Sequence, residues 1–249
     1  RLMAAADRGV RVRVLIDDSM TESDPHYLAS FGAHPNVELR LYKPFGPKHK
    51  SLVLRWLDYV ADLKVLDHRM HNKLYVVDGC VAIAGGRNMG NEYFEYPGPF
   101  VFRSRDLLAV GPVVDTAGGA FDLYWNSDWA VPIADVVTPL ATEDDARKQK
   151  ASLDSMAAEP SSYPPGFYDD PKNIEDELKA LGKHLHWGKG SLVVDAVPER
   201  DGKEQTHVEL DKTGVVLARV AEGTSKEMHV QSAYLILLKE SMKRLGEIV

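Results

Sequence analysis

The sequence contains little that ties it to a compartment or a cofactor. It has a single cysteine, Cys80, so an internal disulfide is excluded. No apolar run approaches the roughly 18 residues that a membrane-spanning helix needs. Acidic residues outnumber basic ones by 37 to 30, and the net charge of −7 argues against a nucleic-acid binder, which usually presents a basic face. There is no initiator methionine, and we expect the chain to be a segment of a longer protein.

Helix and strand patterns alternate along the first half of the chain. Strands are predicted at residues 11–17, 37–44 and 106–114, where apolar residues run together or alternate with polar ones. A helix is predicted at residues 51–64 from the helical spacing of its apolar residues, and another after residue 114. This alternation predicts the α/β class, with a mixed, mostly parallel sheet flanked by helices.

Composition divides the chain into three parts. Residues 1–130 hold the clearest strand and helix patterns. Residues 131–190 are rich in Pro, Asp, Glu, Lys and Ser and predict a loop-rich connecting segment with one short helix at residues 173–185. Residues 191–249 contain further strand patterns and a terminal helix, which predict the start of a second unit similar to the first.

Residues 71–88, HNKLYVVDGCVAIAGGRN, predict a β-hairpin. Asp78-Gly79 favours a type I′ turn, because both central positions of that turn require positive φ. The predicted pairs are Val77 with Cys80, Tyr75 with Ala82, Lys73 with Ala84, and His71 with Gly86. Alternation then places His71, Lys73 and Tyr75 on one face. The opposite face would form a core layer of Leu74, Val76, Val81 and Ile83.

The face that carries His71 suits an anionic substrate. Lys73 supplies a positive charge, Asn88 an amide donor, and Gly86 a backbone that an anion can approach closely. His71 can attack or exchange a proton near neutral pH. Together these groups suit phosphoryl chemistry, in which positioning and charge neutralisation dominate. A surface hairpin with an incidental His and Lys is the alternative, but it leaves the opposing Ala and Gly, which are poor strand residues, unexplained.

The spacing H-x-K-x4-D-x6-G-G-x-N resembles the HKD motif of the phospholipase D superfamily. Its positions are His71, Lys73, Asp78, Gly85, Gly86 and Asn88. The stretches RMHNKLYVVDG, GGRNMGNEYF and LLAVGPVVDTAGGAFDLYWNS are similar to the first half of the bacterial cardiolipin-synthase-like branch, and VQSAYLILL is similar to the opening strand of its second half. The resemblance covers residues 1–128 well and the remainder loosely. It implies a phospholipase D-like αβα sandwich of two similar units, incomplete here at both ends.

The resemblance also implies a role for each motif residue. His71 would be the nucleophile or the acid/base, while Lys73 and Asn88, with Gly86, would hold the phosphate oxygens. Asp78 is the motif carboxylate, and its place at the turn, away from His71, gives it either a structural role or a role in supporting the residues that touch the substrate, not direct chemistry. A carboxylate on a following strand would orient the histidine ring, and Asp106 is the candidate, with Ser104 as the alternative.

No metal or cofactor is implied by the resemblance. The second HKD motif that the family requires would come from a C-terminal half or from a homodimer partner, because HWGK at residues 186–189 lacks the spacing. The implied substrate is a phospholipid, and the implied setting is the surface of a bacterial membrane. The sequence itself leaves the compartment open.

The leading hypothesis is a phosphodiesterase or phosphatidyl transferase that acts on phospholipids through a phosphohistidine. A nuclease of the same superfamily is one alternative, which the acidic balance disfavours. Another is a non-catalytic half that binds anionic lipid or completes a partner's site. One basic cluster is predicted to meet an anionic head group or to be a solvated loop. It consists of Lys43, Lys48, Lys50 and Arg55.

Overall fold

The computed structural model describes residues 1–18, 25–44, 69–94, 100–137, 140–158, 171–197 and 213–229. The described elements are, in chain order, α1 (Leu2–Asp7), β1 (Val12–Asp17), α2 (Pro25–Gly32), β2 (Val37–Tyr42), β3 (Leu74–Val77), β4 (Val81–Gly85), β5 (Asp106–Val110), α3 (Val113–Trp125), β6 (Ala130–Pro132), α4 (Ile133–Val136), α5 (Glu143–Ala158), α6 (Pro171–Gly182) and α7 (Thr213–Glu222). Sheets flanked by helices confirm the predicted α/β class. Among the described helices, none is both long and apolar enough to cross a membrane.

The first sheet has the order β1-β2-β6. β1 and β2 are parallel, in register from Val12 opposite Val37 to Asp17 opposite Tyr42, and β6 pairs antiparallel with β2. Helices α2 and α4 cover this sheet. Leu28 of α2 lies in one buried cluster with residues of the strands and of α4. Because β1 and β2 end together, the residues that follow them lie at the same edge of the sheet.

The second sheet has the order β3-β4-β5 and is antiparallel throughout. Helix α3 packs on it through Val114 and Ala117, which contact Ala82 of the central strand. The last turn of α3 reaches the first sheet, where the rings of Tyr124 and Tyr42 lie 5.6 Å apart between centroids. Helix α3 therefore joins the second sheet to the end of β2.

The prediction of a mostly parallel sheet is wrong for the described residues, in which only the β1–β2 pairing is parallel. The short turn between β3 and β4 permits an antiparallel hairpin only, since parallel neighbours need a long crossover connection. The repeated helix–strand pattern at the start of the chain does form a parallel pair. It does not extend through the motif hairpin.

The connecting segment, residues 131–190, is more helical than its composition indicated, because α4, α5 and α6 lie within it. Helix α5 begins at a reciprocal cap. Thr142 N–H and Oγ1 donate to Asp145 Oδ2 over 2.8 and 2.7 Å, and Asp145 N–H donates to Thr142 Oγ1 over 3.2 Å. The short helix predicted at residues 173–185 is confirmed, with its bounds shifted to Pro171–Gly182.

The remaining predicted elements have different outcomes. The strand pattern after residue 190 is described up to residue 197 without a strand, and Val197 is fully buried beside Tyr42 and Tyr124. The helix predicted at residues 51–64, the strand VQSAYLILL and the terminal helix lie outside the described residues. The division of the chain at residues 130 and 190 stays a prediction.

Candidate active site

The candidate site lies where the motif hairpin meets the carboxyl ends of β1 and β2. The Met70 N–H donates to Asp17 Oδ2 over 2.9 Å. Arg69 forms an ion pair of 3.3 Å with Asp17 Oδ1 and donates to the Lys43 carbonyl oxygen over 2.9 Å. The two residues before His71 are therefore attached to the ends of both parallel strands. This edge of a sheet is where α/β proteins commonly bind ligands.

The hairpin has the predicted turn but a different register. Asp78 and Gly79 have φ values of 50° and 62°, and the Cys80 N–H donates to the Val77 carbonyl oxygen over 2.9 Å, as a type I′ turn requires. Cys80 does not pair with Val77, because Val77 lies opposite Val81. Cys80 is thus one extra residue between the turn and β4.

Three of the four predicted pairs are wrong by this one residue, and the fourth, His71 with Gly86, stays a prediction. The observed pairs are Leu74 with Ala84, Tyr75 with Ile83, Val76 with Ala82, and Val77 with Val81. Since a shift of one residue exchanges the faces of a strand, the core face of β4 carries Ala82, whereas Ile83 is on the exposed face. Leu74 and Val76 face the core as predicted, while Val81 and Ile83 do not belong to that layer.

The two motif glycines have different surroundings. The Gly85 N–H donates to the Lys73 carbonyl oxygen over 3.3 Å, so Gly85 lies opposite Lys73. A Cβ atom on Gly85 would come within 2.7 Å of Asp106 Cα, whereas one on Gly86 would meet nothing closer than Ser104 Oγ at 3.7 Å. Gly85 is required for the close approach of β4 to β5, and Gly86 leaves open space.

His71 and Lys73 are brought together on one short segment. Lys73 Nζ donates to the His71 carbonyl oxygen over 2.8 Å. Partial removal from water lowers the pKa of His71, the Lys73 charge lowers it further, and Asp17 acts in the opposite direction. Loss of hydration also lowers the pKa of Lys73, again with Asp17 opposing it. His71 is exposed, and its neutral form, which can attack as a nucleophile, is favoured near pH 7.

The other predicted site residues, Asn88, Asp78 and Asp106, have no described contact with His71 and have separate surroundings. Asn88 is exposed, and its Nδ2 donates to Tyr93 Oη over 2.8 Å. Asp78 is exposed at the hairpin turn, as the sequence indicated. Asp106 accepts a hydrogen bond of 2.7 Å from Arg87 Nε, and this bond is the main cause of a lowered pKa of the Asp106 carboxyl.

Asp106 is therefore paired with Arg87 in this structure, not with His71. Its role as the carboxylate that orients the histidine ring stays a prediction, as does the alternative Ser104. The carboxylate that the structure does bring to the His71 segment is Asp17, which sequence reasoning missed. A signal was present, because Asp17 ends a predicted buried strand, where polar side chains of α/β proteins often reach a site.

Of the predicted basic cluster, the structure describes only Lys43, which is buried. Lys43 is only 5% exposed, and its Nζ lies 4.3 Å from the centroid of the Trp129 ring. Lys48, Lys50 and Arg55 lie outside the described residues. Within the described part of the chain, no group of three or more His, Cys, Asp or Glu residues has the arrangement of a metal site.

Residues 1–98 match the family model described as "Cardiolipin synthase, PLD-like domain". The chain is 32% identical over 249 residues to cardiolipin synthase C of Escherichia coli strain K12. The aligned region is 100% of this chain and 50% of that protein. The chain is 26% identical over 242 residues to an uncharacterized protein of Helicobacter pylori, covering 97% of this chain and 47% of that protein. A cardiolipin synthase of Staphylococcus aureus strain Mu50 is 30% identical over 123 residues, covering 49% of this chain and 22% of that protein.

The first two relatives match the chain along almost its whole length. The chain in turn spans about half the length of each of them.

Proposed function

We propose that the protein is a phosphodiesterase or phosphatidyl transferase acting on phospholipids, because residues 1–98 match a cardiolipin-synthase, PLD-like domain and the whole chain is 32% identical to half of a cardiolipin synthase. One observation carries the proposal. His71 and Lys73 share a segment at the edge of a sheet, with Lys73 Nζ 2.8 Å from the His71 carbonyl oxygen, and the backbone of Gly86 has open space beside it. A histidine, a cation and an open glycine backbone suit a phosphodiester group.

In the proposed reaction, a ring nitrogen of one histidine attacks phosphorus, and the bond from phosphorus to the leaving oxygen breaks. A second histidine donates its proton to that oxygen and releases an alcohol. Water, or the hydroxyl of an acceptor alcohol, then attacks phosphorus while the second histidine takes its proton, and the phosphorus–nitrogen bond breaks. His71 fills one of these two roles. Water as acceptor gives hydrolysis, and a lipid alcohol gives phosphatidyl transfer.

Lys73 and Asn88 would hold the non-bridging phosphate oxygens. Both donors have partners within the chain, namely the His71 carbonyl oxygen for Lys73 and Tyr93 Oη for Asn88. Substrate binding would replace these contacts with charge-assisted hydrogen bonds, which are stronger than neutral ones. The space beside Gly86 is the place for the phosphate, since the nearest atom to a Cβ there is 3.7 Å away.

The second histidine would come from a further part of the protein or from a second copy of the chain. Residues 69–94 hold one complete motif, and the chain spans about half of its full-length relatives. The lipid substrate also implies that the protein works at a membrane surface.

The protein expressed from its complete gene tests this function. It would be mixed with vesicles of phosphatidylglycerol in phosphatidylethanolamine, and with a single-stranded oligonucleotide in a parallel reaction. We expect release of glycerol or formation of a diphosphatidyl product, with no comparable cleavage of the oligonucleotide. Faster cleavage of the oligonucleotide, or no turnover of lipid by folded protein, would contradict the proposal.

A further inference from the structure

Asp17 connects the first sheet to the residues that immediately precede the motif histidine. Its two carboxylate oxygens have different partners: Oδ2 accepts the Met70 N–H at 2.9 Å, and Oδ1 pairs with Arg69 at 3.3 Å. Met70 immediately precedes His71. The position of the His71 backbone therefore depends on a side chain from another sheet.

Both members of the ion pair are largely shielded from water. The side chain of Asp17 is 12% exposed and that of Arg69 is 15% exposed. Charge-assisted hydrogen bonds in such surroundings are stronger and more directional than exposed ones. Arg69 also donates to the Lys43 carbonyl oxygen, so the pair spans the ends of β1 and β2.

The charge of Asp17 also acts on the motif residues. It raises the pKa of His71 and of Lys73, against the larger effect of desolvation in each case. Among the described residues, the charged and titratable groups around this carboxylate include Arg69, His71, Lys73 and the buried Tyr42, whose pKa is raised mainly by burial. Asp106, the carboxylate expected beside the histidine, is occupied by Arg87.

We propose that Asp17 is the positioning residue of this site: its carboxylate fixes the segment Arg69–Met70 so that His71 faces the substrate phosphate. The attachment of the segment rests on geometry, and the phosphate that His71 would face rests on the proposed function. The charge of Asp17, which opposes the lowering of the His71 pKa, gives the proposal a second readout. Asp17 itself touches no reacting atom.

The main test replaces Asp17 with Asn, which keeps the size and one acceptor oxygen but removes the charge. Asp122→Asn is the matched control, because Asp122 forms a similar ion pair of 2.7 Å with Arg13 on β1, away from the motif. Protein from the complete gene, labelled at histidine Cε1, would be titrated by NMR, with His71 assigned by its loss in His71→Gln. Lipid turnover would be measured in parallel.

We expect Asp17→Asn to lower the pKa of His71 and to move the acidic limb of the pH–activity profile in the same direction. We expect kcat to fall roughly 100-fold, the loss that a misplacement of about 1 Å can cause. Asp122→Asn should change neither quantity. An unchanged His71 titration and an unchanged kcat in folded Asp17→Asn would overturn the proposal.

A second measurement needs no variant that could fail to fold. In wild-type protein labelled with 15N-methionine, the Met70 amide should exchange with solvent more slowly than the amide of Met89, whose side chain is 89% exposed. Equal exchange rates would refute the hydrogen bond to Asp17. If lipid turnover is absent, the proposed function fails, while the His71 titration and the Met70 exchange still decide the role of Asp17.

Discussion

Gly85 lies opposite Lys73, with its N–H 3.3 Å from the Lys73 carbonyl oxygen. Gly85 also allows the Asp106 backbone of β5 to lie close to β4. The same glycine therefore fixes the position of Lys73 relative to β5. The pairing also separates the two glycines of the motif, one of which is needed for packing and the other for space.

We therefore predict that Gly85→Ala destabilises the protein, whereas Gly86→Ala leaves its stability nearly unchanged. The new methyl group on Gly85 would lie 2.7 Å from Asp106 Cα and 2.8 Å from the Arg105 carbonyl oxygen, both backbone atoms that cannot move alone. Overpacking of this kind typically costs about 1–3 kcal/mol. Urea denaturation of both variants measures the difference, and equal midpoints would show that the two strands are not this close.

The acidic limb of the pH–activity profile should reflect the lowered pKa of His71. Desolvation and the Lys73 charge both disfavour the imidazolium, so we expect His71 to titrate below the ordinary value of about 6.5. Stability that depends on the neutral ring is then present above about pH 6.5 and decreases as the pH falls below that value. An NMR titration of His71 measures this directly, and a midpoint at or above the ordinary value would contradict the desolvated site.

Lys73→Gln should raise the pKa of His71, because it removes the nearby positive charge. The same variant should lose activity about 10²–10³-fold, the effect typical of losing one donor to a developing negative charge. Lys179→Gln is the control, since Lys179 is an exposed lysine paired with Glu175 on α6. If Lys73→Gln and Lys179→Gln were equally active, Lys73 would have no part in holding phosphate.

The first turn of α5 should depend on its reciprocal cap. Thr142→Ala removes the side-chain hydroxyl that exchanges hydrogen bonds with Asp145, while Ser155→Ala changes an exposed hydroxyl near the other end of the same helix. We expect Thr142→Ala to lower the thermal midpoint by a few degrees and Ser155→Ala to leave it unchanged. Equal midpoints for the two variants would argue that α5 does not begin at Thr142.

The 249 residues expressed alone should be inactive as a monomer, because the proposed reaction needs a second histidine. Sedimentation of the sample at the assay concentration must accompany the activity measurement. Lipid turnover by a demonstrably monomeric sample would refute the requirement for two motifs.

Much of the site could be predicted because its signals are local. The turn residues Asp78 and Gly79 adopt the positive φ values that their types favour, and the motif spacing alone indicated the family that the comparisons support. The register could not be predicted in the same way. Cys80 is accommodated as an extra residue after the turn, a choice set by the packing of Ala82 against α3.

Two other features depend on contacts that are distant in sequence. The link from Asp17 to Met70 joins residues 53 positions apart. The end of a buried strand marks Asp17 as a site candidate, but nothing local identifies Met70 as its partner. Helix α5 has a local signal at its start, the sequence Thr142-Glu-Asp-Asp145. The charged composition of the whole connecting segment predicts a loop instead, and the two patterns conflict. Acidic residues in a first turn favour a helix through its dipole, and that reading of the same residues would have predicted α5.

The most direct test of the central claim is the turnover of phosphatidylglycerol by His71→Ala, measured with protein from the complete gene. His186→Ala is the matched control, since His186 is an exposed histidine outside the motif. The account predicts that His71→Ala loses activity by about 10²–10⁴-fold or more while His186→Ala remains active. Wild-type turnover in folded His71→Ala would contradict the assignment of this site.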